Sequence, residues 1–200
     1  MDIVCLDLEG VLVPEIWINV ADRLGIEALR ATTRDIPDYD VLMRQRLQLL
    51  QQHDLGLPDI QRVIADMGPL PGAREFLDWV REHYQLIILS DTFYEFAHPL
   101  MRQLGWPTLF CHKLEMDADG RIVNYHLRQK DPKTEAVRRL HELNFRVVAA
   151  GDSYNDTGML AEADKGILFD APAKVIAEFP HFAVTTSYEQ LKEEILTAFT

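Results

Sequence analysis

Residues 3–15 read IVCLDLEGVLVPE: an apolar run that ends on Asp7, passes through Glu9 and turns at Gly10. The run has the length and composition of a buried strand, so its two acids sit on the strand's tip. Apolar runs of strand length recur at 86–89, 145–150, 166–169 and 182–184, and segments 73–83, 92–104, 132–143 and 188–198 between and after them carry helical periodicity. That alternation predicts an α/β fold built on a parallel sheet. Asp131 and Pro132 form a cap and first-turn pair for one of the helices, and Gly105 supplies a stop for another.

One interval does not fit a single crossover. Between Pro14 and Gly72 the chain holds three helical segments, 15–24, 39–53 and 58–67, and Leu42, Met43, Leu47, Leu49 and Leu50 give the middle one an apolar stripe. GPLPG at 68–72 marks the return to the main fold. The expected division is therefore a core domain, 1–14 with 69–200, and a helical cap at 15–68. Residues 114–127, with DADG between two alternating segments, predict a β-hairpin.

Composition limits the function. The 200 residues carry 32 acidic against 20 basic side chains, a net charge of −12, which opposes broad binding to nucleic acid or anionic membranes. An anionic substrate held by local cations remains open. Cys5 and Cys111 each lie in an apolar stretch and read as buried thiols, which fits a reducing compartment. The chain opens on a strand-like run without a basic leader, and no stretch reaches the ~18 apolar residues of a membrane span, so a soluble cytoplasmic protein is expected.

Four polar clusters follow apolar runs or open helices: Asp7 and Glu9; Ser90 in LIILSDT; Lys133 in the turn after Asp131 and Pro132; and Asp152, Asn155 and Asp156 in GDSYND. Taken singly, each has a bland reading, as a capped turn, a helix cap, a solvated lysine and a tight loop. In a parallel sheet, however, the carboxyl ends of the strands open on one crevice where distant residues converge. The chemistry such a set could share is phosphoryl transfer through an attacking carboxylate. Two unit negative charges ~4 Å apart repel by about 4 kcal/mol at an effective dielectric near 20, so local positive charge is required. Clustered Asp oxygens suit Mg²⁺, Lys133 adds a cation, and Ser90 can donate to a phosphoryl oxygen.

In this order the motifs resemble the haloacid dehalogenase superfamily of aspartyl-phosphate phosphatases, over nearly the whole chain. The resemblance implies a three-layer Rossmann-like core and assigns Asp7 as nucleophile, Ser90 and Lys133 as phosphoryl ligands, and Asp152 as a Mg²⁺ ligand, with Asp156 in support. Within the superfamily the chain is most similar to phosphoserine phosphatases. There a cap-entry Glu meets the substrate ammonium, which matches Glu15, and an Arg meets its carboxylate, which matches Arg46 in LMRQRLQLL; Asn155 matches a position near the phosphate.

Two letters depart from the pattern. Asp91 and Thr92 follow Ser90 where glycines are usual, although the Asp91 backbone N–H could still serve the phosphate. Glu9 replaces the usual second Asp, whose carbonyl ligates Mg²⁺ and whose side chain moves protons. A glutamate there resembles the bifunctional phosphoserine phosphatase and homoserine phosphotransferase proteins. The expectation is a Mg²⁺-dependent phosphoserine phosphatase, a monomer or homodimer of amino-acid biosynthesis, with homoserine as a second acceptor. A phosphatase for another small phosphomonoester and a non-catalytic metal-binding regulator are the alternatives.

Overall fold

In the computed structural model, residues 1–32, 35–36 and 38–200 are described. Seven strands form one sheet: β1 (Asp2–Leu6), β2 (Gln85–Phe93), β3 (Leu109–Met116), β4 (Ile122–His126), β5 (Arg146–Gly151), β6 (Lys165–Phe169) and β7 (Ala183–Thr185). Their spatial order is β4-β3-β2-β1-β5-β6-β7, with every neighbouring pair parallel except β3 and β4.

Side chains alternate between two apolar layers, as the strand period of two requires. Val4, Leu6, Ile88, Val148, Ala150 and Ile167 join Phe76, Leu77 and Val80 of α4 (Ala73–His83) and Leu191 and Ile195 of α9 (Tyr188–Phe199). Ile3, Cys5, Leu89, Val147, Ala149 and Leu168 join Val137 and Leu140 of α6 (Pro132–Glu142), Met159 and Leu160 of α7 (Thr157–Glu162) and Val175 of α8 (Ala173–Glu178). The result is a three-layer α/β core.

Between β1 and α4 the chain passes through α1 (Ile16–Leu24), a 3-10 turn (Glu27–Arg30), α2 (Tyr39–Gln52) and α3 (Leu57–Met67). Leu29, Met43, Leu50, Ile60 and Ile64 from these helices belong to the same apolar cluster as Val4 and Leu6. The bridge is α5 (Tyr94–Gln103), against which α3 packs, while α2 touches β4. Among the described residues no helix is long and apolar enough to cross a membrane.

Two local expectations need correction, and two short helices went unnamed. The helix expected at 92–104 begins at Tyr94, because Thr92 and Phe93, residues that favour extended backbone, continue β2 through an irregularity in its pairing with β3. The hairpin expected at 114–127 exists, but its first strand starts at Leu109 and pairs Leu109 and Phe110 with Ile88 and Leu89 before turning to β4. The short helices α7 and α8 carry too few turns to show a periodic stripe.

Candidate active site

The chain order reverses across β1: β2 and β3 lie on one side, β5, β6 and β7 on the other, which makes the carboxyl end of β1 a topological switch point. Register places the motifs there. Leu6 stands opposite both Ile88 and Ala150, so Asp7 is one residue beyond the aligned row and Ser90 and Asp152 are two beyond it. The Asp7 N–H donates to the Ala150 carbonyl at 2.9 Å, tying the two strand tips together.

Lys133 enters from the first turn of α6 and is 3% exposed. Its Nζ lies 2.8 Å from Asp7 Oδ1, 2.7 Å from Asp156 Oδ1 and 3.8 Å from Asp91 Oδ2. Burial opposes its charge, but Asp156, Asp7 and Asp91 hold its pKa well above the usual lysine value. Asp7 Oδ1 also accepts the Leu8 N–H at 2.7 Å. Burial and the neighbouring Asp156 and Asp152 carboxylates push Asp7 well above the ordinary range, against the pull of Lys133.

Asp156 is fully buried, and both its oxygens are engaged: Oδ1 by Lys133, and Oδ2 by the N–H groups of Asp152 at 3.0 Å and Ser153 at 3.1 Å. Oxygens of Asp7, Asp152 and Asp156 lie within 4.8 Å of one another, close enough to share a metal ion. Asp156 already accepts from Lys133, Asp152 and Ser153, which leaves more acceptor capacity for a cation on Asp7 and Asp152. Burial, then Asp156 and Glu15, push Asp152 up to about 7. Hard oxygen donors forced together against their own repulsion are the donor set a divalent cation relieves, so the residues fit one. Gly10, at φ +78°, makes the crowding possible, since a Cβ there would overlap the Asp152 carboxyl group.

Glu9 reaches over the turn. Its Oε2 accepts the Ile16 N–H at 2.8 Å, so Glu9 rather than Glu15 satisfies the amino end of α1, and burial together with Glu15 pushes its pKa up to about 8. The Val13 N–H donates to Leu8 and the Gly10 N–H to Val13, so these turn bonds bypass the Glu9 carbonyl. Glu15 is exposed at the amino end of α1 and lines the cavity.

Ser90 is buried, and its Oγ accepts the Thr92 N–H at 3.2 Å, which leaves its hydroxyl hydrogen for another acceptor. Asp91 faces the cavity with its side chain, and its main-chain carbonyl accepts from the Tyr39 hydroxyl at 3.4 Å. Burial works against the Asp91 charge, yet Lys133, with His112 and Asn155, holds its carboxyl far below the usual range. Asn155 donates Nδ2 to Asp91 Oδ2 at 2.9 Å and accepts the Ser153 hydroxyl on Oδ1, so it reaches the site through Asp91.

Asp7, Glu9, Glu15, Ser90, Asp91, Lys133, Asp152 and Asn155 line one cavity of about 490 Å³, and Asp156 is not part of its lining. At the end formed by the inserted helices stands Arg46, 7% exposed, with its guanidinium carbon 4.5 Å from the centre of the Trp17 ring. It donates to the Ala31 carbonyl at 2.8 Å, but its Nε is buried without a hydrogen-bond partner, and among the described residues no carboxylate pairs with it. Burial lowers its pKa to about 10. Trp17, Tyr39 and His112 were not legible as site residues in the sequence; an aromatic residue at the start of α1 and another at the start of α2 were the available signals for the first two.

A sheet switch point with an acidic pair, a buried lysine and a serine defines a hydrolase of the haloacid dehalogenase type. The chain belongs to the haloacid dehalogenase-like hydrolases, which match residues 1–164. It is 65% identical over 198 residues to the phosphoserine phosphatase ThrH of Pseudomonas aeruginosa, covering 99% of this chain and 97% of that protein. It is 62% identical over 198 residues to a phosphoserine phosphatase of Pseudomonas syringae pv. tomato, covering 99% of this chain and 84% of that one. The fold is similar to that of a phosphoserine phosphatase solved with substrate bound, with a TM-score of 0.75, 20% identity and 92% of each chain covered.

Proposed function

We propose that the protein is a Mg²⁺-dependent phosphoserine phosphatase that works through an aspartyl-phosphate on Asp7 and passes the phosphoryl group to homoserine as well as to water. The observation that carries the substrate is Arg46: a buried guanidinium with an unpaired Nε faces the same cavity as Lys133, Ser90 and Asp7. A buried charge without a partner is costly, and a substrate carboxylate supplies the partner in a geometry suited to a guanidinium. A phosphate at one end and a carboxylate at the other, with an ammonium near Glu15, describe a phosphorylated amino acid. The names of the relatives at 65% and 62% identity support the same reading.

Residues 15–68 act as a cap whose Trp17, Tyr39 and Arg46 close the cavity over the amino-acid end and limit water. Asp7 and Asp152, with the Glu9 carbonyl, would hold Mg²⁺, which supplies positive charge beside the phosphoryl oxygens. Ser90 and Lys133 orient the phosphoryl group, and the Asp91 N–H stands beside them. The Asp7 carboxylate attacks phosphorus, the bond to the serine oxygen breaks, and Glu9, which holds its proton near neutral pH, gives it to that oxygen. Glu9 then takes the proton of the water or homoserine hydroxyl that attacks phosphorus, the bond from phosphorus to Asp7 breaks, and phosphate or phosphohomoserine leaves.

Arg46→Met tests the substrate. It is expected to raise KM for phosphoserine by about 10- to 100-fold while changing KM for an aryl phosphate less than about threefold; equal effects on both would remove the carboxylate from the reading. For the acceptor, phosphoserine is supplied with and without homoserine, and phosphohomoserine is the expected new product. Free phosphate alone at high homoserine would reduce the activity to hydrolysis.

A further inference from the structure

Lys133 has three ammonium hydrogens, of which Asp7 at 2.8 Å and Asp156 at 2.7 Å engage two. The third is contested. Asp91 Oδ2 lies 3.8 Å from Nζ, too far for a hydrogen bond, although opposite charges attract and Asp91 stands on the unpaired segment of β2 just past Ser90. Something holds this carboxylate back.

One hydrogen bond and one longer polar contact act on it. Asn155 Nδ2 donates to Oδ2 at 2.9 Å, and His112 Nε2 faces Oδ1 at 3.6 Å. His112 lies on β3, is 3% exposed and cannot turn freely: its Nδ1 accepts the Arg128 N–H at 3.1 Å. In the neutral ring that bond puts the hydrogen on Nε2, the nitrogen facing Asp91. Arg128 is itself anchored, by the Pro132 carbonyl at 2.8 Å and by stacking over Phe110.

We propose that His112 is a positioning residue for the phosphoryl site: by drawing Asp91 Oδ1 toward its Nε2, beside the Asn155 hydrogen bond to Oδ2, it helps to hold Asp91 away from Lys133 and keeps the third Lys133 N–H open for a phosphoryl oxygen. Without Nε2 the Asp91 carboxylate closes on the ammonium and becomes an internal competitor of the phosphate. The inference rests on the phosphatase reading only in requiring an anionic oxygen at Lys133, and it is independent of the rest of the substrate.

His112→Asn is the main variant, because its side-chain oxygen can still accept the Arg128 N–H while the Nε2 donor is lost. The intact Mg²⁺-loaded protein is assayed with phosphoserine and with an aryl phosphate, and binding of inorganic phosphate is measured by calorimetry. The expected result is a rise of about tenfold in both KM values and in the phosphate Kd, with kcat changed less. His112→Gln, whose amide reaches where Nε2 lies, recovers most of the affinity. Asp91→Asn removes the competing charge, so adding His112→Asn to it changes phosphate affinity less than about twofold.

An unchanged phosphate Kd in His112→Asn overturns the proposal, as does a loss that persists undiminished in the Asp91→Asn background, which would mark a packing role. If His112→Asn fails to fold, the same comparison is read from His112→Gln in the two backgrounds, where equal losses overturn it. Hydrolysis of the aryl phosphate without phosphoserine turnover would refute the substrate reading and leave this inference standing.

Discussion

The two ends of the cavity are built on opposite principles. At the sheet end Lys133 is surrounded by Asp7, Asp156 and Asp91, and Asp156 has donors on both oxygens. At the insert end Arg46 is almost as deeply buried, yet among the described residues its Nε has no hydrogen-bond partner and no acid pairs with it. A saturated network is rigid and preorganised for one reaction, whereas a buried donor without an acceptor has its complement in a ligand. In the proposed function, the difference separates the chemistry, assigned to the strand tips, from the choice of substrate, assigned to α1 and α2.

The largest effect belongs to the sheet end. Asp7→Asn keeps the shape of the side chain and much of its hydrogen bonding but removes the nucleophile, and kcat is expected to fall by at least about 10⁴-fold for phosphoserine and an aryl phosphate alike. Steady-state rates on both substrates check it. Retained Mg²⁺-dependent turnover would dissolve the division, because the attacking group would then lie elsewhere.

Stability should divide the two cations as sharply as activity does. Lys133→Met leaves Asp7 and Asp156 buried together without their common partner, and breaking a buried pair in this way costs about 3–5 kcal/mol. Arg46→Met removes one bond to the Ala31 carbonyl and the stacking on Trp17 but strands no charge, so its cost is expected near 1 kcal/mol. Urea unfolding of the two variants in chelator-treated buffer provides the comparison. Equal losses would mean that Arg46 has a structural partner after all.

The sheet end was also the more legible in the sequence. Asp7, Ser90, Lys133, Asp152 and Asp156 stand at strand tips or in a helix's first turn, places announced by hydrophobic period and capping residues. The insert end was legible as three helices with an arginine among them, but the burial of Arg46 beneath Trp17 depends on how α1 packs beside α2. His112 was illegible for a stronger reason. It sits between Cys111 and Lys113 on the part of β3 that precedes the expected hairpin, and its neighbours Asp91 and Arg128 come from the tip of β2 and the segment before α6. Local pattern says nothing about such a meeting.

Glu9 lies where the two ends join, and it gives the smallest of the expected effects. Its carboxylate spans from the tip of β1 to the first N–H of α1, so one side chain both faces the reaction and caps the helix that leads into the insert. Glu9→Asp retains the acid and shortens the arm by one methylene, which withdraws it from Ile16. Loss of that cap should lower stability by about 1 kcal/mol, seen as a modest fall in Tm. Hydrolysis should persist within about tenfold, since a shorter carboxylic acid can still reach the proton of a water that approaches by itself. In the proposed transfer homoserine would have less freedom, because its hydroxyl would have to meet the carboxylate while Arg46 held its own carboxylate. The ratio of phosphohomoserine to free phosphate is therefore expected to fall several-fold in Glu9→Asp. An unchanged ratio would place acceptor choice entirely in the insert and leave Glu9 with proton transfer alone.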